Sequence, residues 1–79
     1  MEQNPAQLSQ DEYDFMLYKL GQAGSFRTAL YEAWFAADLD NSQKLESVFP
    51  ELEVVRRYSN EDGYWENLCQ RWNQTQSKV

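Results

Sequence analysis

Side chains able to do covalent or metal chemistry are scarce in this chain. It has no histidine and a single cysteine, Cys69. Histidine is the commonest general base and metal ligand near neutral pH. One cysteine makes neither a thiolate zinc site nor an internal disulfide, and no histidine is present to activate it as a nucleophile. Beside the apolar face of the last predicted helix, Cys69 reads as a buried structural thiol. Cysteine usage this sparse suits a reducing compartment.

Carboxylates are the remaining candidates. "DLDNSQKLESVF", residues 38–49, opens like a calcium loop, with Asp38, Asp40 and Ser42 at the first three ligand positions. The sixth position needs glycine for its turn and holds Gln43; the twelfth needs a bidentate glutamate and holds Phe49. A helix end followed by an N-cap accounts for the same residues. The pairs Asp11/Asp14 and Glu51/Glu53 have no supporting donors and read as solvated helix starts, where acids favour the helix dipole. The three glycines are isolated turn residues and form no phosphate cradle. The expectation is a protein that is not an enzyme and needs neither metal nor cofactor.

Charge narrows the partners. The net charge is −6. Residues 1–55 carry ten acids and three bases, and residues 56–79 carry three acids and four bases. An acidic surface repels nucleic-acid phosphates and attracts basic proteins. A DNA reader would present a basic face; here the only cluster is Arg56 and Arg57, with Arg71 further along. Those arginines read as partners of local acids such as Glu53. No apolar run approaches the ~18 residues of a membrane span. The start, MEQNPAQLSQDE, lacks the basic and apolar regions of a signal peptide. A soluble, cytoplasmic protein is expected.

The elements that must position these side chains are helices. A chain of 79 residues forms one domain and buries only about 60% of its unfolded surface. Three Trp, five Tyr and four Phe supply the bulk for a core. Ser9 and Glu12 match a capping box, followed by Tyr13, Met16, Leu17 and Leu20 on one face. Gly21 and Gly24 bracket a turn. Ser25 is the natural N-cap of a second helix over 26–38, with a stripe of Phe26, Ala29, Leu30, Ala33, Trp34 and Ala37. A third helix is predicted over 42–49. Pro50 ends it and starts a fourth over 51–58, on which Leu52, Val55 and Tyr58 share a side. A last helix over 64–73 carries Tyr64, Trp65, Leu68 and Trp72. The fold class is all-α, a compact small bundle of four to five short helices. The domain spans 9–73, between a flexible lead, 1–8, and a flexible tail, 74–79.

Four aromatics are left over. At about 100° per residue, Phe15 and Tyr18 fall off the main face of the first helix, and Tyr31 and Phe35 off that of the second. A central helix covered on more than one side would use them in the core. An interface would use them to hold a partner.

One stretch carries a resemblance. Gly24, Ser25 and Phe26, then Ala36, Ala37, Asp38 and Asn41, Leu45, and Phe49, Pro50 and Glu51 form a pattern. With "YSNEDGYWE" over 58–66, it resembles a group of short bacteriophage and mobile-element proteins. The resemblance covers about half the chain, rests on caps, turns and core positions, and carries no catalytic residues. It implies a phage-like origin. Small acidic proteins of that kind, including anti-CRISPR and other counter-defence proteins, are similar in size and charge and dock on host machinery as inhibitors. The expected function is a non-enzymatic protein-binding module meeting a basic partner through Tyr31, Glu32, Phe35, Asp38, Asp40, Glu46, Glu51 and Glu53. Self-association as a dimer is the alternative, and a DNA-binding regulator comes third.

Overall fold

A computed structural model describes residues 8–76. It contains five helices: α1 (Gln10–Lys19), α2 (Ser25–Ala36), α3 (Leu39–Val48), α4 (Glu53–Asn60) and α5 (Tyr64–Gln76). A single 3₁₀ turn, Pro50–Leu52, joins α3 to α4. The all-α bundle is as expected. Of the expected lead and tail, residues 1–7 and 77–79 lie outside the described residues. Leu8 packs against the core, and residues 74–76 are the last turn of α5.

Local chemistry explains most boundaries. The Ser9 hydroxyl accepts from the Glu12 N–H at 3.1 Å, and the Ser9 N–H donates to Glu12 Oε1 at 3.0 Å. This reciprocal capping box satisfies two otherwise orphaned donors at the start of α1. Gly21 adopts φ +76, a left-handed conformation that glycine reaches without steric penalty, just past the end of α1. Gly24, and not Ser25, is the N-cap of α2, with no side-chain bond. Asp38 caps α3 by accepting from the Asn41 N–H at 2.9 Å. So "DLDNS" begins α3 three residues earlier than expected, and residues 39–48 cannot wrap an ion as a loop. Pro50 has no N–H to give and disfavours helix in the residue before it. Phe49 accordingly sits at φ −123, ψ 84.

The core is Phe15 and Met16 of α1, Leu30 and Tyr31 of α2, Leu52 of the 3₁₀ turn, Val54 and Val55 of α4, and Tyr64 and Leu68 of α5. Phe15 is its hub. Its ring lies 5.5 Å edge-on from Tyr31, 5.2 Å from Tyr58, 5.9 Å from Tyr18 and 6.4 Å from Trp65. Such tilted and edge-on pairs add to plain area burial. Two helices are therefore rotated from the faces read in the sequence. On α1, Tyr13 and Leu20 are exposed, while Phe15 and Met16 point inward. On α2, Tyr31 joins Leu30 and partly buried Trp34 inside, and Phe26, Ala29 and Ala33 are exposed. Burial free energy scales with apolar area, so the large rings take the interior and the alanines are left outside.

One buried polar group ties α1 to α5. The Glu12 carboxylate receives two parallel bonds from the Arg71 guanidinium, both 2.9 Å, and the Tyr64 hydroxyl at 2.7 Å. Burial alone would raise the Glu12 pKa. The bonds from Arg71, the Ser9 N–H and Tyr64 outweigh it and hold the carboxyl at about 2. The folded pKa lies below the ordinary value of 4.5, so the stabilisation is full above pH 4.5 and is lost as pH falls toward 2. Denaturant melts from pH 6 to pH 2 are expected to show a steady loss across that window. The Glu12→Gln variant is expected to start less stable and to lose less across it.

Candidate interaction surface

The acids expected to form one docking face are dispersed over separate tasks. Glu46 accepts from Trp34 Nε1 at 3.0 Å and from Arg56 Nε at 3.0 Å, so it fastens α2 and α4 to α3. Glu53 reaches the same arginine at 3.6 Å. Glu51 and Asp14 lie 3.8 and 3.7 Å from Arg27, which bridges α1, α2 and the 3₁₀ turn. Asp40 pairs with Lys44 at 3.2 Å. Asp38 serves as the α3 cap. Asp11 sits beside this network; partial burial, then Glu51 and Asp14, push its carboxyl up, against the pull of Arg27. Glu32 is exposed on α2 and makes no ion pair among the described residues.

The aromatic anchors divide. Tyr31, left open between core and interface and named as a partner contact, is fully buried and its ring is not available to a partner in this fold. Among the described residues its hydroxyl makes no hydrogen bond of good geometry, although the Arg27 guanidinium lies within reach of it. Burial raises its pKa, and the Arg27 guanidinium is near enough to oppose that. Phe15 is likewise core, and Tyr18 is half-buried against Phe15 and Tyr31. Phe35 does reach solvent at 44% exposure, with one edge against Trp34 and Tyr58.

An exposed apolar surface lies where the sequence placed core. Beside the contact of α2 with α3 lies an open, shallow groove of about 580 Å³ lined by Ala33, Ala36, Ala37, Leu45, Val48 and Phe49, with Asn41 and Lys44 as its polar lining. Val48 is 68% exposed. At the far end Phe26, 67% exposed, leans on Phe49 with ring centroids 5.9 Å apart. α3 and its C-cap contribute Leu45, Val48 and Phe49 at near-helical spacing to this lining. The signal in the sequence was the width of the apolar arc on α2, which one neighbour cannot cover.

The three arginines considered for DNA are all engaged. Arg56 bridges Glu46 and Glu53, and Arg71 holds Glu12. Arg57 pairs with Glu61 at 3.3 Å and lies 4.4 Å over the Tyr64 ring. Lys19 sits over Tyr58 and Trp65 and bonds the Tyr58 hydroxyl at 3.2 Å. Cys69 is partly exposed, not buried. Partial burial and Glu66 push its thiol up, away from a reactive thiolate. Among the described residues, no three metal-ligating side chains converge and no helix is long and apolar enough to cross a membrane. Comparison with protein-family models, curated proteins and solved structures finds no match.

Proposed function

We propose that this chain is a non-enzymatic protein-binding module whose docking face is the outer side of α2 and α3. The observation that supports this reading is the apolar patch from Phe26 through the alanine-lined groove to Val48. Small proteins rarely leave contiguous apolar surface in water unless something covers it. The net charge of −6 adds long-range attraction toward a basic partner. In this reading Glu46, Glu51 and Glu53 hold the face in shape, Asp38 caps α3, and Glu32 and Phe35 are exposed to meet the partner. The resemblance to short acidic phage and mobile-element proteins supports a cytoplasmic inhibitor or counter-defence role.

Site-specific photo-crosslinking tests the docking face. A photoreactive residue at position 48 is expected to trap one basic protein in bacterial cells. The same residue at position 70, exposed on α5, is expected to trap none. Equal yields from both positions would refute the assignment. A product made only of the chain itself would replace it with self-association.

A further inference from the structure

We infer that the corner between the Tyr58 and Trp65 rings is a binding site for one arginine side chain of the basic partner, and that Lys19 occupies it until that arginine displaces it. The source of the arginine rests on the protein-binding reading; the site itself is separate from the groove. The corner is shaped for a cation. The two rings stand at 84° with centroids 5.3 Å apart. The Lys19 ammonium lies 4.9 Å from the Tyr58 centroid and 5.5 Å from that of Trp65. A cation within about 6 Å of a ring centroid is attracted by the ring quadrupole, so both walls contribute. Their positions are set from behind. Phe15, fully buried, lies 5.2 Å from Tyr58 and 6.4 Å from Trp65, and Phe35 meets Tyr58 edge-on at 6.2 Å. Walls preformed in this way lose little freedom when a ligand enters.

Lys19 is a weakly held occupant. The chain has 13 acids, yet among the described residues Lys19 takes part in none of the ion pairs. Its charge is met by the two rings and by the Tyr58 hydroxyl, which accepts from Nζ at 3.2 Å in an exposed position. Cation–π contacts at exposed sites are weak. A departing lysine also regains rotamer freedom, and in the last turn of α1 it still suits the helix dipole. The corner selects what replaces it. The Tyr58 hydroxyl needs an N–H donor, which a quaternary ammonium lacks. An arginine fits better than a second lysine. Its planar guanidinium is less strongly hydrated, stacks on an aromatic face and keeps N–H groups at its edge for the hydroxyl. The net charge of −6 draws such a side chain in.

The test is titration of the full chain with N-acetyl-arginine amide, followed by NMR at the Trp65 indole N–H and the Tyr58 ring. The parent is expected to bind weakly, with shifts centred on those two residues. Lys19→Ala removes the resident cation at an exposed position. It is expected to bind roughly two- to fivefold more tightly, the factor set by one exposed cation–π contact. Gln43→Glu, exposed on α3, changes the net charge equally and is expected to give no such gain. In the Lys19→Ala chain tetramethylammonium is expected to bind more weakly than the arginine probe, and Tyr58→Phe is expected to narrow that difference. Silence at Trp65 in Lys19→Ala would overturn the inference. So would an equal gain in Gln43→Glu, which would reduce the effect to net charge. Tetramethylammonium matching the arginine probe would overturn the selection for an N–H donor. Free arginine binding more tightly than the blocked form would overturn the partner as its source and assign the corner to the amino acid. The corner and the groove share no residue, so failure here leaves the docking face standing. Failure of the cross-link at position 48 removes the partner and leaves the titration readable.

Discussion

Phe15→Ala is expected to cost about 3–5 kcal/mol, the range for emptying a buried phenyl site. A chain of this length has roughly 4–12 kcal/mol in total, at about 0.05–0.15 kcal/mol per residue. The variant should therefore be largely unfolded, or melt far below the parent. Phe15 is fully buried, and its ring meets Tyr18, Tyr31, Tyr58 and Trp65, so one truncation strips contacts from α1, α2, α4 and α5 together. Thermal and urea melts followed by near-UV circular dichroism measure the loss directly. Tyr31→Phe is the companion. It keeps the ring and removes a buried hydroxyl that makes no well-formed hydrogen bond among the described residues, so stability should hold or rise. A large loss in Tyr31→Phe would show that the hydroxyl is engaged, with Arg27 as the partner.

Arg71→Met is the second large effect, about 3 kcal/mol at pH 7, the low end for breaking a buried ion pair because the arginine is partly solvated. Removing it leaves the Glu12 carboxylate inside with only Ser9 and Tyr64 as donors. The pH dependence separates this cause from lost packing. The parent loses the Glu12 contribution as pH falls from about 4.5 toward about 2. The variant no longer holds that pKa low, so the gap between the two should close as pH falls. A gap that stays constant would mean that Arg71 acts through its alkyl stem.

Helix number and type were legible because their signals are local. The capping box at Ser9 and Glu12, the turn glycines, and the face of Tyr64, Trp65, Leu68 and Trp72 each lie within a few residues of one another. The roles of Asp38 and Glu12 were harder. Asp38 followed an apolar run and read as the end of one helix, though its carboxylate caps the next. Glu12 read only as half of a cap, though it also closes the fold through Arg71, 59 positions away. The faces of α1 and α2 depend on which rings meet across the bundle, which periodicity within one helix does not encode. That is why periodicity left Tyr31 open between core and interface, and why Phe26, Ala33 and Val48 lie outside.

The same rotation carries the functional account. With the whole α2 stripe as core, Phe26 and Ala33 would not be exposed. The most direct measurement is affinity capture with the parent and Val48→Lys chains side by side. Nuclease-treated bacterial lysate is passed over each at low salt, and each eluate is followed as salt rises. The account predicts a stoichiometric basic protein on the parent, released by salt and missing from a Val48→Lys chain whose melt matches the parent. Equal capture by both chains would contradict it.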